Sequence, residues 1–133
     1  MPNQDWRSFL RMLETEHPSE VLHFKEEIDP AYEITAFMNE LEKQGPAPAV
    51  IFERVKGSAV PVVANLSGSR KRLAAAFGVA EKDLWAEYSR RMKSPVPEKH
   101  VGDCPARDKI FTGGEVDILS LPILTHFAED PAP

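Results

Sequence analysis

The sequence predicts an α/β fold, with α+β as the alternative, in which three to four helices pack on a small mixed β-sheet. Apolar residues recur at helical spacing in separate segments, and short β-branched runs lie between those segments. The 133 residues, 42% of them hydrophobic and 28% charged, are enough to build and cover one hydrophobic core. We therefore expect a single folded domain.

The first two helices are predicted from apolar stripes that end at proline or glycine. Asp5 precedes the first stripe, and His17-Pro18 ends it. A short strand is expected from Val21 to Phe24, after which Ile28-Asp29-Pro30 leads into the second helix. Gly45-Pro46 ends that helix. The stripes consist of Trp6, Phe9, Leu10 and Leu13 in the first helix and of Ile34, Phe37, Met38 and Leu41 in the second.

The stretch from Ala49 to Gly78 predicts a strand, a glycine turn, a second strand, a glycine loop and a helix. Gly57-Ser58 separates the two strands, and Ser67-Gly68-Ser69 ends the second. Ser69 is expected to cap the helix, and Gly78 is expected to close it at the C′ position. The apolar residues expected in these elements are Val50, Phe52 and Val55 in a half-buried first strand, then Val60, Val62, Val63 and Leu66, and then Leu73, Ala74 and Phe77 on one helical face.

The remaining third of the chain is less regular. Lys82 to Met92 predicts another helix, which Pro95 and Pro97 end, with Leu84, Trp85, Tyr88 and Met92 facing inward. Prolines and Gly102 then predict an extended connector over Ser94 to Asp108. The last expected elements are a short strand over Lys109 to Thr112, a turn at Gly113-Gly114, and a helical turn or loop over Asp117 to Leu121.

Composition argues against several classes of protein. The formal net charge of −5 disfavours a nucleic-acid partner, because phosphate neutralisation needs a concentrated basic face. Apolar runs are too short to span a membrane, and the residues from Met1 to Asp5 do not resemble a secretory signal. A single cysteine, Cys104, cannot form an internal disulfide and suits a reducing compartment. We therefore expect a cytoplasmic protein.

The loop from Asn65 to Arg70 is the first candidate site, because it ends a strand and opens a helix beside three basic residues. Backbone N–H groups at such a position can hold a phosphate. The loop nevertheless lacks the glycine spacing of recognised phosphate-binding motifs. The favoured interpretation is a capped helix whose first-turn basic residues, Arg70, Lys71 and Arg72, are solvated.

Other polar residues are weaker candidates. The histidines are scattered without a partner at i+3 or i+4, so a metal site is not expected. His126 is the best placed for function, although a partly buried histidine bonded to backbone is favoured over a catalytic one. Asp103 beside Cys104 disfavours a nucleophilic thiol. The histidines are His17, His23, His100 and His126, and the carboxylates Glu26, Glu27 and Asp29 are expected to form a solvated surface cluster.

Two phrases of the sequence resemble the N-terminal segment of the UbiD-type decarboxylases. FERVKGSAVPVVANLSGSRKRLAAAFG, ending at Gly78, is similar to the family phrase (F/L)ENVKGxxxPVxxNLFGSRxRxAxALG, with Ser67 in place of an aromatic residue. TGGEVDILSLPI, beginning at Thr112, is similar to TGxDVDLxxLPI. The opening DWRSFL and the Ile28-Asp29-Pro30 segment also fit family positions. The resemblance therefore runs in order along nearly the whole chain.

This resemblance implies a non-oxidative decarboxylase, or carboxylase, of aromatic, heteroaromatic or α,β-unsaturated carboxylic acids. The implied cofactor of the intact enzyme is prenylated FMN with a divalent metal, manganese or magnesium, and with potassium as a further candidate ion. A flavin prenyltransferase would supply that cofactor, and the intact enzyme would be a homo-oligomer. In the family, the catalytic residues and metal ligands lie in a downstream split β-barrel.

By this resemblance, residues 1–108 are the N-terminal α/β domain and residues 109–133 are a connector that leads into a barrel outside this chain. We expect no catalytic, cofactor-binding or metal-binding residue within the 133 residues, and the isolated chain is expected to be inactive. Two alternatives stay open: a non-catalytic interaction or assembly module, and one half of a split decarboxylase. The apolar residues from Leu121 to Phe127, which lack a cover in this chain, favour the domain of a larger enzyme.

Overall fold

A computed structural model of the chain describes residues 5–98, 100, 102, 104 and 108–130. The helices are α1 (Trp6–Glu16), α2 (Glu33–Gln44), α3 (Arg70–Phe77) and α4 (Leu84–Lys93), and the strands are β1 (Val21–Ile28), β2 (Ala49–Val55) and β3 (Val62–Ala64). Short 3₁₀ turns lie at Pro18–Glu20, Glu81–Asp83, Gly113–Glu115 and Ile118–Ser120. No helix in the part of the chain described is long and apolar enough to cross a membrane.

The three strands form one mixed sheet in the order β1-β2-β3. Strand β1 runs parallel to β2, with Val21 opposite Ala49, and β3 pairs antiparallel to β2. A register shift between Phe24 and Glu27 lets β1 continue to Ile28, four residues beyond the predicted end. Strand β3 is shorter than predicted, because Pro61 has no N–H to donate and Asn65 has a positive φ of 57°. The predicted small mixed sheet with helices is confirmed.

Helix α2 covers one face of this sheet and forms the main core with it. Phe24, Phe37 and Phe52 meet in this core, with ring centroids 4.7 to 5.7 Å apart. Such tilted and edge-to-face pairs add stability beyond the area that they bury. The predicted half-buried strand is confirmed in β2, where Val50, Phe52 and Val55 are buried while Glu53 and Arg54 are exposed.

Helix α1 lies against the other face of the sheet. Side chains alternate along a strand, so His23, Ile51 and Glu53 point away from the face that carries Phe24 and Phe52. Glu14 of α1 bonds to His23, which places the helix on this side. Leu10 and Leu13, two of the four predicted stripe residues, are buried beneath it. The predicted cap is also confirmed, since Asp5 Oδ1 accepts from the Ser8 N–H at 2.9 Å.

Helices α3 and α4 pack against each other beside the sheet. Ser69 caps α3 and Gly78 closes it in the left-handed conformation with φ of 70°, as the sequence predicts. In α4, Leu84 is buried, but the inward placement predicted for Trp85, Tyr88 and Met92 is wrong. Trp85 is 72% and Met92 65% exposed. In the described residues, α4 packs mainly on α3 and on the 3₁₀ turn at Glu81–Asp83. Only one row of its apolar side chains is therefore covered, and the other row faces solvent.

The C-terminal segment runs from an irregular stretch back to the start of α2. The strand predicted over Lys109 to Thr112 is not formed; Ile110 and Phe111 stay 73% and 64% exposed, with no strand beside them to pair with. The 3₁₀ turns confirm the predictions at Gly113-Gly114 and Asp117 to Leu121. The described residues of 94–108 contain no helix or strand beyond Ser94, in keeping with the predicted connector, and its other residues lie outside the described part.

Candidate functional site

The helix-opening loop is organised around a buried arginine. The Arg72 guanidinium is 1% exposed and donates to the Glu20 carboxylate at 2.8 Å. It also donates to the backbone carbonyls of Ala47 at 3.1 Å, Asn65 at 2.9 Å and Leu66 at 3.3 Å. We call these five residues the Arg72 cluster. The prediction that Arg72 is solvated is wrong, because its guanidinium makes four hydrogen bonds inside the protein, three to backbone carbonyls and one to the Glu20 carboxylate.

Glu20 keeps its charge inside this cluster. Burial raises the pKa of the Glu20 carboxyl, but hydrogen bonds from Lys71 and Arg72 outweigh burial and hold that pKa below its usual range. Lys71 reaches Glu20 from the solvent side at 3.1 Å, whereas Arg70 is exposed. The first turn of α3 therefore contains one buried, one half-exposed and one exposed cation. Sequence reasoning missed the pair because its members are 52 residues apart.

The Asn65 side chain holds the loop in one conformation and lies close to the backbone of Gly68. The Asn65 side-chain amide donates to the carbonyls of Ala47 and Pro48 at 2.9 and 3.1 Å. A Cβ on Gly68 would lie 1.7 Å from Asn65 Oδ1, so position 68 excludes any side chain. Asn65 adopts φ of 57°, which asparagine tolerates better than most residues. The inward-facing side chains of Asn65 and Arg72 therefore both hold the loop in place.

Several hydrogen-bond donors of this loop are directed at the protein itself. The Gly68 N–H donates to the Asn65 carbonyl, and the Arg72 N–H donates to the Ser69 hydroxyl. The Arg72 side chain, the strongest anion-binding group nearby, points into the protein. Within the described residues, no group of three or more His, Cys, Asp or Glu side chains could hold a metal ion. The favoured interpretation of a capped structural helix is therefore supported at Ser69, although not in its solvated Arg72.

Two of the histidines have partners that sequence reasoning missed. His23 lies between Glu14 and Glu53, with one ring nitrogen 2.9 Å and the other 2.8 Å from a carboxylate oxygen. His126 is exposed, and its Nδ1 is 2.8 Å from the Thr35 hydroxyl. The prediction of a partly buried, backbone-bonded His126 ring is thus wrong. The partners were missed because they are distant in sequence.

Asp130 fixes the backbone around His126. Its carboxylate accepts from the N–H groups of His126 at 2.6 Å and Phe127 at 3.0 Å. The bonds from the Phe127 and His126 N–H groups lower the pKa of Asp130. The arrangement is a turn closed by a carboxylate.

The carboxylates before α2 lie at the surface, as the sequence predicts: Glu26 and Glu27 are exposed and Asp29 is half-buried. Lys56 donates to Asp29 at 2.7 Å and Arg54 lies 3.7 Å from Glu27, because β2 runs alongside β1 and brings these cations across. The hydrogen bond from Lys56 lowers the pKa of the Asp29 carboxyl. Cys104 is a half-buried free thiol, and its neighbours Asp103 and Pro105 lie outside the described residues.

An exposed apolar segment follows the Arg72 cluster in the chain. We call the stretch from Ile110 to Phe127 the apolar arm. Its start is tied down by few contacts, whereas its end is anchored: Leu124 packs against the core and Thr125 pairs with Ala31. The large apolar residues of the arm that remain exposed are Ile110, Phe111, Val116, Ile118, Leu119, Leu121, Ile123 and Phe127. This segment therefore concentrates many exposed large apolar side chains in one stretch of the chain.

Comparisons with known proteins agree on one family. Residues 13–92 match the family model described as the 3-octaprenyl-4-hydroxybenzoate carboxy-lyase N-terminal domain. An evolved dimeric form of the UbiD-class enzyme HmfF from Pelotomaculum thermopropionicum, in complex with prFMN, is 34% identical with a TM-score of 0.78. That match covers 92% of this chain and 28% of HmfF.

Two further solved structures are similar. The vanillic acid decarboxylase of Sedimentibacter hydroxybenzoicus, in open form, is 36% identical over 74% of this chain and 22% of its own, with a TM-score of 0.63. The 3,4-dihydroxybenzoic acid decarboxylase of Klebsiella pneumoniae matches 68% of this chain and 20% of its own at 23% identity and a TM-score of 0.59, which shows the fold alone.

The fold and the family match together define an N-terminal domain of the carboxy-lyase class. The chain belongs to the UbiD family, as its two sequence phrases predict. It spans about a quarter of the length of the HmfF structures that it matches. Structures of HmfF contain prFMN or FMN, so a flavin is a cofactor in this family.

Proposed function

We propose that this chain is the structural N-terminal domain of a prenylated-FMN-dependent enzyme that adds or removes carbon dioxide on an aromatic, heteroaromatic or α,β-unsaturated acid. One matched relative, at 36% identity, is named for vanillic acid, which supports an aromatic substrate. In this proposal residues 1–108 form the domain and residues 109–133 the connector. The flavin, its metal ion and potassium bind to the downstream barrel, and a prenyltransferase supplies the flavin in the cytoplasm.

One observation carries the structural role. The Arg72 cluster is directed inward, because Arg72 bonds to three carbonyls outside the strands and to Glu20. Those contacts use four of the five N–H donors of the guanidinium and engage all three of its nitrogens within the protein. The cluster therefore stabilises the domain and does not need to contact a substrate.

The apolar arm lies in the connector and is the part of the chain that we expect to contact the catalytic barrel. Thr125 donates to the Pro30 carbonyl and accepts from the Tyr32 N–H, and the His126 ring bonds to Thr35. These contacts anchor the end of the arm beside the start of α2. The apolar side chains of the arm from Ile110 to Ile123 stay exposed. Covering them with barrel residues would remove apolar surface from water and hold the two domains together. Homo-oligomer contacts are then expected to come from the rest of the enzyme.

A flavin titration of the isolated 133-residue chain tests this proposal. FMN and prenylated FMN are added to the pure chain, and binding is followed by flavin fluorescence and calorimetry. HmfF serves as the positive control, since its structures contain both flavins. We expect no saturable binding to the chain and no release of carbon dioxide from vanillic acid. Stoichiometric, tight flavin binding by the chain would overturn the structural role.

A further inference from the structure

His23 joins three elements of the fold through its imidazole ring. The ring projects from β1; Nε2 lies 2.9 Å from Glu14 Oε1 on α1, and Nδ1 lies 2.8 Å from Glu53 Oε1 on β2. The side chains are about two-fifths exposed, so water and protons reach the group. Glu14 directly follows Leu13, a residue of α1 whose side chain is completely buried against the sheet. The ring therefore fastens α1 next to the apolar contact that holds it on the sheet.

The number of protons on the ring decides whether both contacts can form. A neutral imidazole carries one N–H donor and one bare nitrogen, whereas the imidazolium carries two N–H donors. Ionised carboxylates only accept hydrogen bonds. When His23 is neutral, one of its nitrogens therefore presents a lone pair to a carboxylate oxygen, and that contact becomes repulsive. Both contacts are hydrogen bonds only when the ring is charged.

We propose that protonation of His23 controls how tightly α1 is docked on the sheet, so that the N-terminal helix loosens when the ring loses its proton. The contact at risk is the one to Glu14, since β1 and β2 are held together by their own backbone ladder. Loosening α1 exposes Leu10 and Leu13 and bares the face of the sheet that carries Ile51. The fold thus contains a pH-sensitive attachment for α1.

The direction of the pH effect follows from the charges around the ring. Glu14 on α1 and Glu53 on β2 are the charged groups acting on His23, and Lys25, two residues along β1, is exposed. The hydrogen bonds to Glu53 and Glu14 raise the pKa of His23 above its ordinary 6.5. A raised pKa means that the stabilisation is complete below pH 6.5 and is lost as the pH rises through the folded-state pKa.

Hydrogen–deuterium exchange of the full chain measures this attachment directly. Amide protection factors, corrected for the intrinsic exchange rate, are compared between α1 and β2 at about pH 5.5 and about pH 8.5, on either side of the histidine range. We expect the α1 protection to fall about two- to tenfold relative to that of β2, the range that one net hydrogen bond supplies. Equal changes in α1 and β2, or no change in either, would overturn the proposal.

Glu14→Gln separates proton control from simple packing. A glutamine amide can donate to the bare Nε2 of a neutral ring while Nδ1–H still donates to Glu53, so α1 should stay protected at both pH values. His17→Gln makes a matched change next to the end of α1 and should keep the full pH dependence. If Glu14→Gln shows the wild-type fall in protection, His23 does not control α1 and the proposal is wrong. NMR titration of the His23 ring should show its pKa returning toward the ordinary value in Glu14→Gln.

Discussion

Arg72 and Glu20 form a buried ion pair, 2.8 Å long, that joins the first turn of α3 to the turn before β1. Neither end of this contact belongs to an apolar stripe, yet Arg72 is as buried as the core phenylalanine Phe52. The Ala47 carbonyl, just before β2, receives a second bond from the same guanidinium nitrogen. One side chain thus links the chain segments before β1, before β2 and after β3.

Replacing Arg72 by methionine should strongly destabilise the domain. Methionine fills much of the space but leaves the Glu20 charge with Lys71 alone and removes the donors to three carbonyls. Breaking a buried pair from one side costs about 3 kcal/mol or more. Urea unfolding followed by circular dichroism measures the loss. Arg70→Met is the matched control on the exposed neighbouring residue, and it should change the free energy of unfolding by less than about 0.5 kcal/mol. Equal costs for the two variants would refute a special role for Arg72.

Gly68→Ala should also destabilise the domain, because the new Cβ would lie 1.7 Å from Asn65 Oδ1. Either the loop or the asparagine must move, which would break the bonds from Asn65 to Ala47 and Pro48. Steric insertions of this kind cost about 1–3 kcal/mol. Gly114→Ala provides the control, since a Cβ there meets nothing within 4 Å. Thermal unfolding that gives the same midpoint for both variants would contradict this close approach.

Tyr32 stores backbone strain at the start of α2. It has φ of 69° and ψ of −34°, and the Glu33 N–H donates to the Ala31 carbonyl, which makes Tyr32 the centre of a tight γ-turn. Glycine reaches positive φ freely and alanine does not. Tyr32→Gly should therefore be more stable than Tyr32→Ala by about 1 kcal/mol, measured by urea unfolding. Equal stability of the two variants, or a more stable alanine variant, would contradict the strained turn.

Glu87 should titrate far below an ordinary glutamate. Hydrogen bonds from Arg90 and then Arg91 lower the pKa of Glu87 to about 2, and Arg91 also donates to the Phe77 carbonyl at the end of α3. A lowered carboxyl pKa means that its stabilising contribution is present above pH 4.5 and is lost as the pH falls through about 2. We expect NMR of the Glu87 carboxyl to show this titration. Arg90→Gln should raise the pKa clearly, whereas Lys93→Gln, which removes a charge from the same helix, should raise it little.

The elements of the fold could be predicted from sequence where one local signal sufficed. The apolar stripe of α1, the Ser69 cap and the Gly78 closure all depend on residues within a few positions of each other. The sequence could not predict which face of α4 is covered. An apolar stripe has the same residue spacing whether it packs within this domain or against another part of the protein. Trp85 illustrates this limit, because its spacing is right and its side chain is exposed.

The polar contacts were harder to predict for a different reason. Arg72 and Glu20 are brought together by a fold that spans 52 residues, and no local pattern marks a basic residue for burial. The same holds for His23, whose partners lie on a helix before it and a strand after it. The family, in contrast, could be predicted from the sequence, because the resemblance extends over most of the chain.

The structural role of the domain is tested most directly by exchanging it. In the vanillic acid decarboxylase of Sedimentibacter hydroxybenzoicus, the segment that matches this chain is replaced by the corresponding residues of this chain. Flavin content and the rate of carbon dioxide release are then measured on a panel of aromatic acids. If the domain supplies no catalytic or substrate-binding residue, the flavin-loaded chimera should keep vanillic acid as its preferred substrate. A loaded chimera that is inactive, or that prefers a different acid, would contradict this account.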